Sequence, residues 1–149
     1  MDWTIEFYED DEGRQPAREW LQSLDGPKRA AAIAAIETYL TTFGLDVCST
    51  EHGKALGEGL FEFRIRHDEP TIRRKTGERS SAAGRSTPVL LRLFCHAYGE
   101  RIVLLLGGYD KGSDPSRRRQ DGEIRTARQR LRSFKLRAAR RKSAERRRR

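Results

Sequence analysis

The sequence predicts an α+β fold: a small, curved, mainly antiparallel sheet carrying two N-terminal helices and followed by a C-terminal helix. Three observations predict it. Residues 59–66 alternate Phe61, Phe63 and Ile65 with Glu62, Arg64 and Arg66, the period of two that a half-buried strand imposes. Residues 28–43 space Ile33, Ile36, Tyr39, Leu40 and Phe43 by three and four, which is one face of a helix. Residues 90–96 and 102–106 are apolar runs separated by a short turn at 97–100 containing Gly99, so they pair as antiparallel neighbours.

The elements follow in the order β-α-α-β-β-β-α. Trp3, Ile5 and Phe7 alternate with Thr4, Glu6 and Tyr8 in a first short strand. Pro16 opens a helix, because a first-turn residue needs no N–H partner, and Ala17, Trp20, Leu21 and Leu24 form its apolar face. Asp25-Gly26-Pro27 ends that helix and starts the next, which Gly44 closes. A loop holding His52, Gly53 and Lys54 leads into the alternating strand. Residues 68–87 lose all periodicity and read as a long, mildly basic loop insertion. The run 102–106 is apolar on both faces and is expected at the centre of the sheet. Asp114-Pro115 reads as an N-cap and first helical residue, followed by the stripe Ile124, Ala127, Leu131 and Phe134. Residues 1–134 are thus one domain and residues 135–149 an appended basic tail. Nine Lys or Arg against one acid in that tail favour disorder over a helical extension when it stands alone.

Charge is unevenly placed. The chain of 149 residues carries +9 overall; residues 112–149 hold 16 Lys and Arg against 4 acids, leaving residues 1–111 at −3. A segment of that density attracts polyanions, nucleic acid first among them. No run reads as apolar enough to span or dock into a membrane, and Met1-Asp2-Trp3 does not resemble a secretory signal. A cytoplasmic location is expected, with Cys48 and Cys95 as reduced thiols. Two cysteines fall short of a metal knuckle, and no metal or other cofactor is expected.

The second face of the sheet carries the chemistry. Glu62, Arg64 and Arg66 share it with Arg92 and His96 of the next strand, and the Gly107-Gly108-Tyr109-Asp110-Lys111 corner lies beside them. Guanidinium is permanently charged and pairs bidentately with phosphate oxygens, so Arg64 and Arg92 suit an anionic transition state. Proton transfer falls to Glu62, His96 or Tyr109. A cross-strand salt bridge on a wet face is the plainer reading of Glu62 with its arginines.

These residues also carry a resemblance. Phe7-Tyr8 with Gly13-Arg14-Gln15-Pro16, Tyr39-Leu40 with Phe43-Gly44, the run from Gly53 through Leu60-Phe61-Glu62-Phe63-Arg64, Arg92 within a strand, Tyr109-Asp110-Lys111, and Glu123, Ala127 and Arg128 on the last helix together resemble the phage-derived Gp49-like/HigB branch of the RelE/ParE toxin superfamily. The resemblance implies a RelE-like fold and a type II toxin that cleaves mRNA on the ribosome and so inhibits translation. It implies neutralisation by a cognate antitoxin, a HigA-like helix-turn-helix protein. It places Arg64 and Arg92 at catalytic positions and Lys54 and Lys111 at the flanking basic ones; Arg66, Arg117, Arg118 and Arg128 are further candidate phosphate-binding cations. ParE-like members poison DNA gyrase instead, so a toxin or nucleic-acid-binding protein without nuclease activity is the alternative.

Overall fold

A computed structural model of the chain describes residues 1–67 and 89–149; the 68–87 insertion lies outside the described residues. The protein is α+β, and its five-stranded mixed sheet has the order β1-β5-β4-β3-β2. The strands are β1 (Thr4–Phe7), β2 (Gly53–Gly57), β3 (Leu60–His67), β4 (Val89–Tyr98) and β5 (Ile102–Asp110). Only β1 runs parallel to its neighbour, pairing Thr4 with Ile102 and Phe7 with Leu105. The helices are α1 (Pro16–Ser23), α2 (Gly26–Ala35) and α3 (Arg117–Arg148).

Strand β2 is an addition to the expected order: the loop of His52, Gly53 and Lys54 turns straight into a strand that pairs Lys54 with Glu62. Gly53 has no room for a side chain, since a Cβ there would lie 2.6 Å from the Val47 carbonyl oxygen. The entry into β2 therefore hugs the preceding turn.

Helix α2 starts as read, with the Asp25 carboxylate accepting from the Lys28 N–H at 2.9 Å. Its buried face differs. Ala31, Ala32 and Ala35 are buried with Ile36 and Leu40, whereas Ile33 and Phe43 are each 42% exposed. Alanine lets the helix lie close on the sheet, and that contact outweighs the larger apolar stripe. The helix runs on through a π turn at Ile36–Leu40 and a short α turn at Thr41–Phe43, then tightens to a 3-10 turn at Gly44–Ser49. The π turn rotates the helix face by one extra residue. Gly44 takes φ +51° with the Trp3 indole where its Cβ would be, so only glycine fits this corner. The continuous segment Gly26–Ser49 is long and apolar enough to cross a membrane, by length and composition alone. This corrects the expectation that no such run exists; here its alanine face is committed to the sheet.

The sheet has two cores. On one face Phe61, Phe63, Ile65, Leu91, Leu93, Cys95, Val103 and Leu105 pack under α1 and α2. On the other, Leu60, Phe94, Leu104, Leu106 and Tyr109 pack under Ala127 and Leu131 of α3. Strand β5 is enclosed between β1 and β4 and extends to Asp110, beyond the expected end at residue 106. A bulge between Phe94 and Cys95 leaves Leu106 between paired residues, with Cys95 opposite Leu105 and Phe94 opposite Gly107. The extra residue reverses the facing of all that follows. It brings Tyr109 to the same side as Leu104 and directly opposite Arg92. Arg130 donates to the Leu106 carbonyl at 2.9 Å, which satisfies the backbone at the bulge.

Two further expectations change at α3. Its N-cap is Ser116, whose hydroxyl accepts from the Arg119 N–H at 3.2 Å, and not Asp114. The basic tail is helical to Arg148. Arginine and alanine are good helix formers, and Arg146, Arg147 and Arg148 lie where cations complement the helix dipole. Arg137 also ties the helix down, donating to the Glu9 carbonyl at 2.6 Å with its guanidinium over the Tyr8 ring.

Candidate functional site: a cationic cleft at one end of the sheet

The register places Arg64 of β3 opposite Arg92 of β4, and Arg92 opposite Tyr109 of β5. Three side chains therefore form one row across the face that carries α3. Toward one end of the strands that face is covered by Leu131 and Phe134. Toward the other it opens into a cleft of about 340 Å³ lined by Glu51, His52, Arg64, Arg66, Leu90, Arg92 and Lys111.

Glu62 lies beneath the cleft and is fully buried. Its Oε1 is 2.8 Å from Nε of Arg92, whose side chain is 10% exposed. The contact misses the N–H direction, so it is an ion pair without a directed hydrogen bond. Burial pulls the Arg92 guanidinium below its ordinary value, while the Glu62 charge works against that fall. The Tyr109 hydroxyl is buried in the same pocket and has no hydrogen-bond partner among the described residues. Burial first, and the Glu62 charge second, push its phenol up. Phe94 stacks against one side of Tyr109 and the Arg119 guanidinium lies 5.5 Å from the ring centre. Tyr109 is thus a wall of the row rather than an exposed reagent.

The structure separates the remaining candidates. Arg64, Arg66, Arg92 and Lys111 share the cleft. His96 does not: it pairs with Leu60, four residues along β4 from Arg92, or roughly 13 Å at the strand rise. There Nδ1 sits 2.8 Å from the Gly59 carbonyl oxygen, and the ring meets Phe134 edge-on. Lys54 is exposed on β2 across from Glu62. Arg128 is spent on structure, donating to the carbonyls of Leu56 at 2.5 Å and Gly57 at 3.2 Å. Arg117 and Arg118 are exposed on the first turn of α3.

His52 is the residue that sequence reading undervalued as a loop histidine. The Arg64 N–H donates to the His52 carbonyl at 2.7 Å, extending the β2–β3 pairing by one step and fixing His52 beside Arg64. Tyr39 stacks on its imidazole with centroids 4.2 Å apart and planes 24° apart. Its Nε2 faces the Glu51 carboxylate at 3.9 Å. The available signal was Gly53 followed by Lys54-Ala55-Leu56, the start of a strand able to pair with β3.

A second ion pair lies on the other face of the sheet, beside the strand end that leads into Lys111. Lys28 donates to Asp110 at 2.7 Å, joining the start of α2 to the end of β5 next to Lys111. The bond to Asp110 raises the Lys28 ammonium. Burial alone would raise Asp110, but bonds from Lys28 and Ser113 outweigh it and hold the carboxyl below its ordinary value. A depressed carboxyl contributes stability above its unfolded value, near 3.9, that is lost as pH falls through its folded value. A raised amine contributes stability below its unfolded value and loses it as pH climbs through the folded one. Asp110→Asn is therefore expected to be less stable than the parent at pH 7, with the gap closing in acid. Urea midpoints at pH 7 and pH 2.5 check this; a gap as large at pH 2.5 as at pH 7 would refute the assignment.

No cluster of three His, Cys, Asp or Glu able to hold a metal exists among the described residues. Both cysteines are free, and burial pushes the Cys95 thiol well up, away from nucleophilic use. The cleft can bind an oxyanion through guanidinium and ammonium groups, and it offers one imidazole for proton transfer. Comparison with known proteins finds no family model that matches the chain and no curated protein similar to it.

Proposed function

We propose that the chain is a cytoplasmic type II toxin of the RelE/HigB kind, a ribosome-dependent endoribonuclease held in check by a helix-turn-helix antitoxin. The observation that carries this reading is the cleft itself. Among the described residues, four permanent or near-permanent cations and one imidazole line it, against the carboxylate of Glu51. Such a lining attracts a phosphodiester and disfavours a divalent cation, so cleavage uses the RNA's own 2′-hydroxyl.

In this reading His52 accepts the 2′-OH proton as the oxygen attacks the adjacent phosphorus. Arg64 and Arg92 neutralise the charge growing on the non-bridging oxygens, the term that usually contributes most. Arg66 holds a neighbouring phosphate. The P–O5′ bond breaks, Lys111 supplies the proton to the leaving oxygen, and the products are a 2′,3′-cyclic phosphate and a 5′-hydroxyl. Glu62 has no exposed atom and serves to orient Arg92 instead of moving protons.

Induction in a bacterial host, with transcript 5′ ends mapped by primer extension, tests the proposal. New cuts phased to codons, and their disappearance in His52→Ala, are expected. Unchanged transcripts accompanied by an SOS response would replace it with gyrase poisoning.

A further inference from the structure

We infer that the C-terminal end of α3 is a docking prong for the major groove of double-stranded DNA, separate from the cleft. Beyond Ala139 every residue is exposed, and the helix continues to Arg148. These last residues carry Arg140, Arg141, Lys142 and the Arg146–Arg149 run against one acid, Glu145. At about 100° per residue, no arc of the cylinder wider than about 100° lacks a cation.

That all-round distribution decides the partner. A membrane surface or an acidic protein face is flat and would engage only one side of the helix. A groove with phosphates along both walls engages all of it. A helix with its side chains is about 10–12 Å across, and the B-form DNA major groove is about 12 Å wide. The A-form RNA major groove is deep and narrow and does not admit one. Ser143 and Ala144 offer little base-edge recognition, so the contact is to phosphates and independent of sequence.

The prong is also distant from the cleft. Arg119 stands over Tyr109 at the cleft wall, and Arg140 lies 21 residues further along the same helix, or roughly 32 Å. Both sites can therefore be filled at once, and this inference does not rest on the cleavage reading.

The test measures binding of the full chain to a 20-base-pair DNA duplex, the matching RNA duplex, single-stranded RNA, and phosphatidylserine vesicles, each across a salt series. DNA duplex is expected to bind at least about tenfold tighter than RNA duplex. A chain ending at Ala139, whose net charge falls from +9 to +3, is expected to lose about 5 from the log–log salt slope for DNA. Ala144→Pro keeps every charge but breaks the helix; it is expected to erase the DNA preference while single-stranded RNA binding stays unchanged. The inference is overturned if RNA duplex or vesicles bind as tightly as DNA, if the preference survives Ala144→Pro, or if the slope is insensitive to the truncation.

Discussion

Arg92→Ala is expected to lose about 3–5 kcal/mol of stability, the usual cost of stranding one member of a buried ion pair. Glu62 is the stranded member: it is fully buried, and Arg92 is the cation 2.8 Å from its carboxylate. Tyr109 cannot take over, because a phenol pushed up by burial and by that same carboxylate stays neutral. A domain of ordinary stability has about 5–15 kcal/mol in hand, so the variant stands near its unfolding threshold. Loss of toxicity in Arg92→Ala would then report misfolding as readily as lost catalysis. The double variant Glu62→Leu/Arg92→Met removes both charges at similar volume and is expected to recover most of the deficit. Urea denaturation of the two singles and the double forms a cycle that isolates the pair. A single-variant loss below about 1 kcal/mol would mean that Glu62 is not a buried charge dependent on Arg92.

Alternation made the charged row of β3 legible in the sequence, because strand geometry leaves Glu62, Arg64 and Arg66 no choice but a common face. What alternation does not reveal is how wet that face is. Leu60 and Phe94 sit on it among the charges, and they were the sign that something would cover it. The cover is the stripe of Ala127 and Leu131, legible as a helix but not as the partner of this particular face. Its position places His96 under Phe134 and leaves the Arg64 end open. Tyr109 presented a different difficulty. Counting along β5 from Leu104 puts it on the opposite face, and only the bulge at Leu106 corrects the count. Bulges depend on register with the neighbouring strand, which no local pattern encodes. His52 was hidden for a similar reason: its value comes from β2 pairing with β3 and from stacking on Tyr39, 13 residues away in the chain.

Arg64→Ala is the variant that separates chemistry from folding. Arg64 is half-buried, and its Nε is without a hydrogen-bond partner among the described residues. Removing it strands no buried acid among the described residues, since Glu62 keeps Arg92. The fold is therefore expected to persist, with a melting temperature within a few degrees of the parent. Cleavage should behave differently. A preorganised donor aimed at developing oxyanion charge contributes about 2.7–4 kcal/mol, or about 100- to 1,000-fold in rate. The loss should appear in kcat at saturating RNA more than in KM, because the phosphorane carries more charge on its oxygens than the ground-state diester. Lysine at this position keeps the charge but not the bidentate fork, so Arg64→Lys is expected to recover binding and only part of the rate. Glu62→Gln offers the opposite signature: one fewer buried negative charge beneath the cleft strengthens RNA binding at low salt, while a less firmly held Arg92 slows the cut. If Arg64→Ala melts normally and still arrests growth as the parent does, the cleft is a binding surface and the nuclease reading falls.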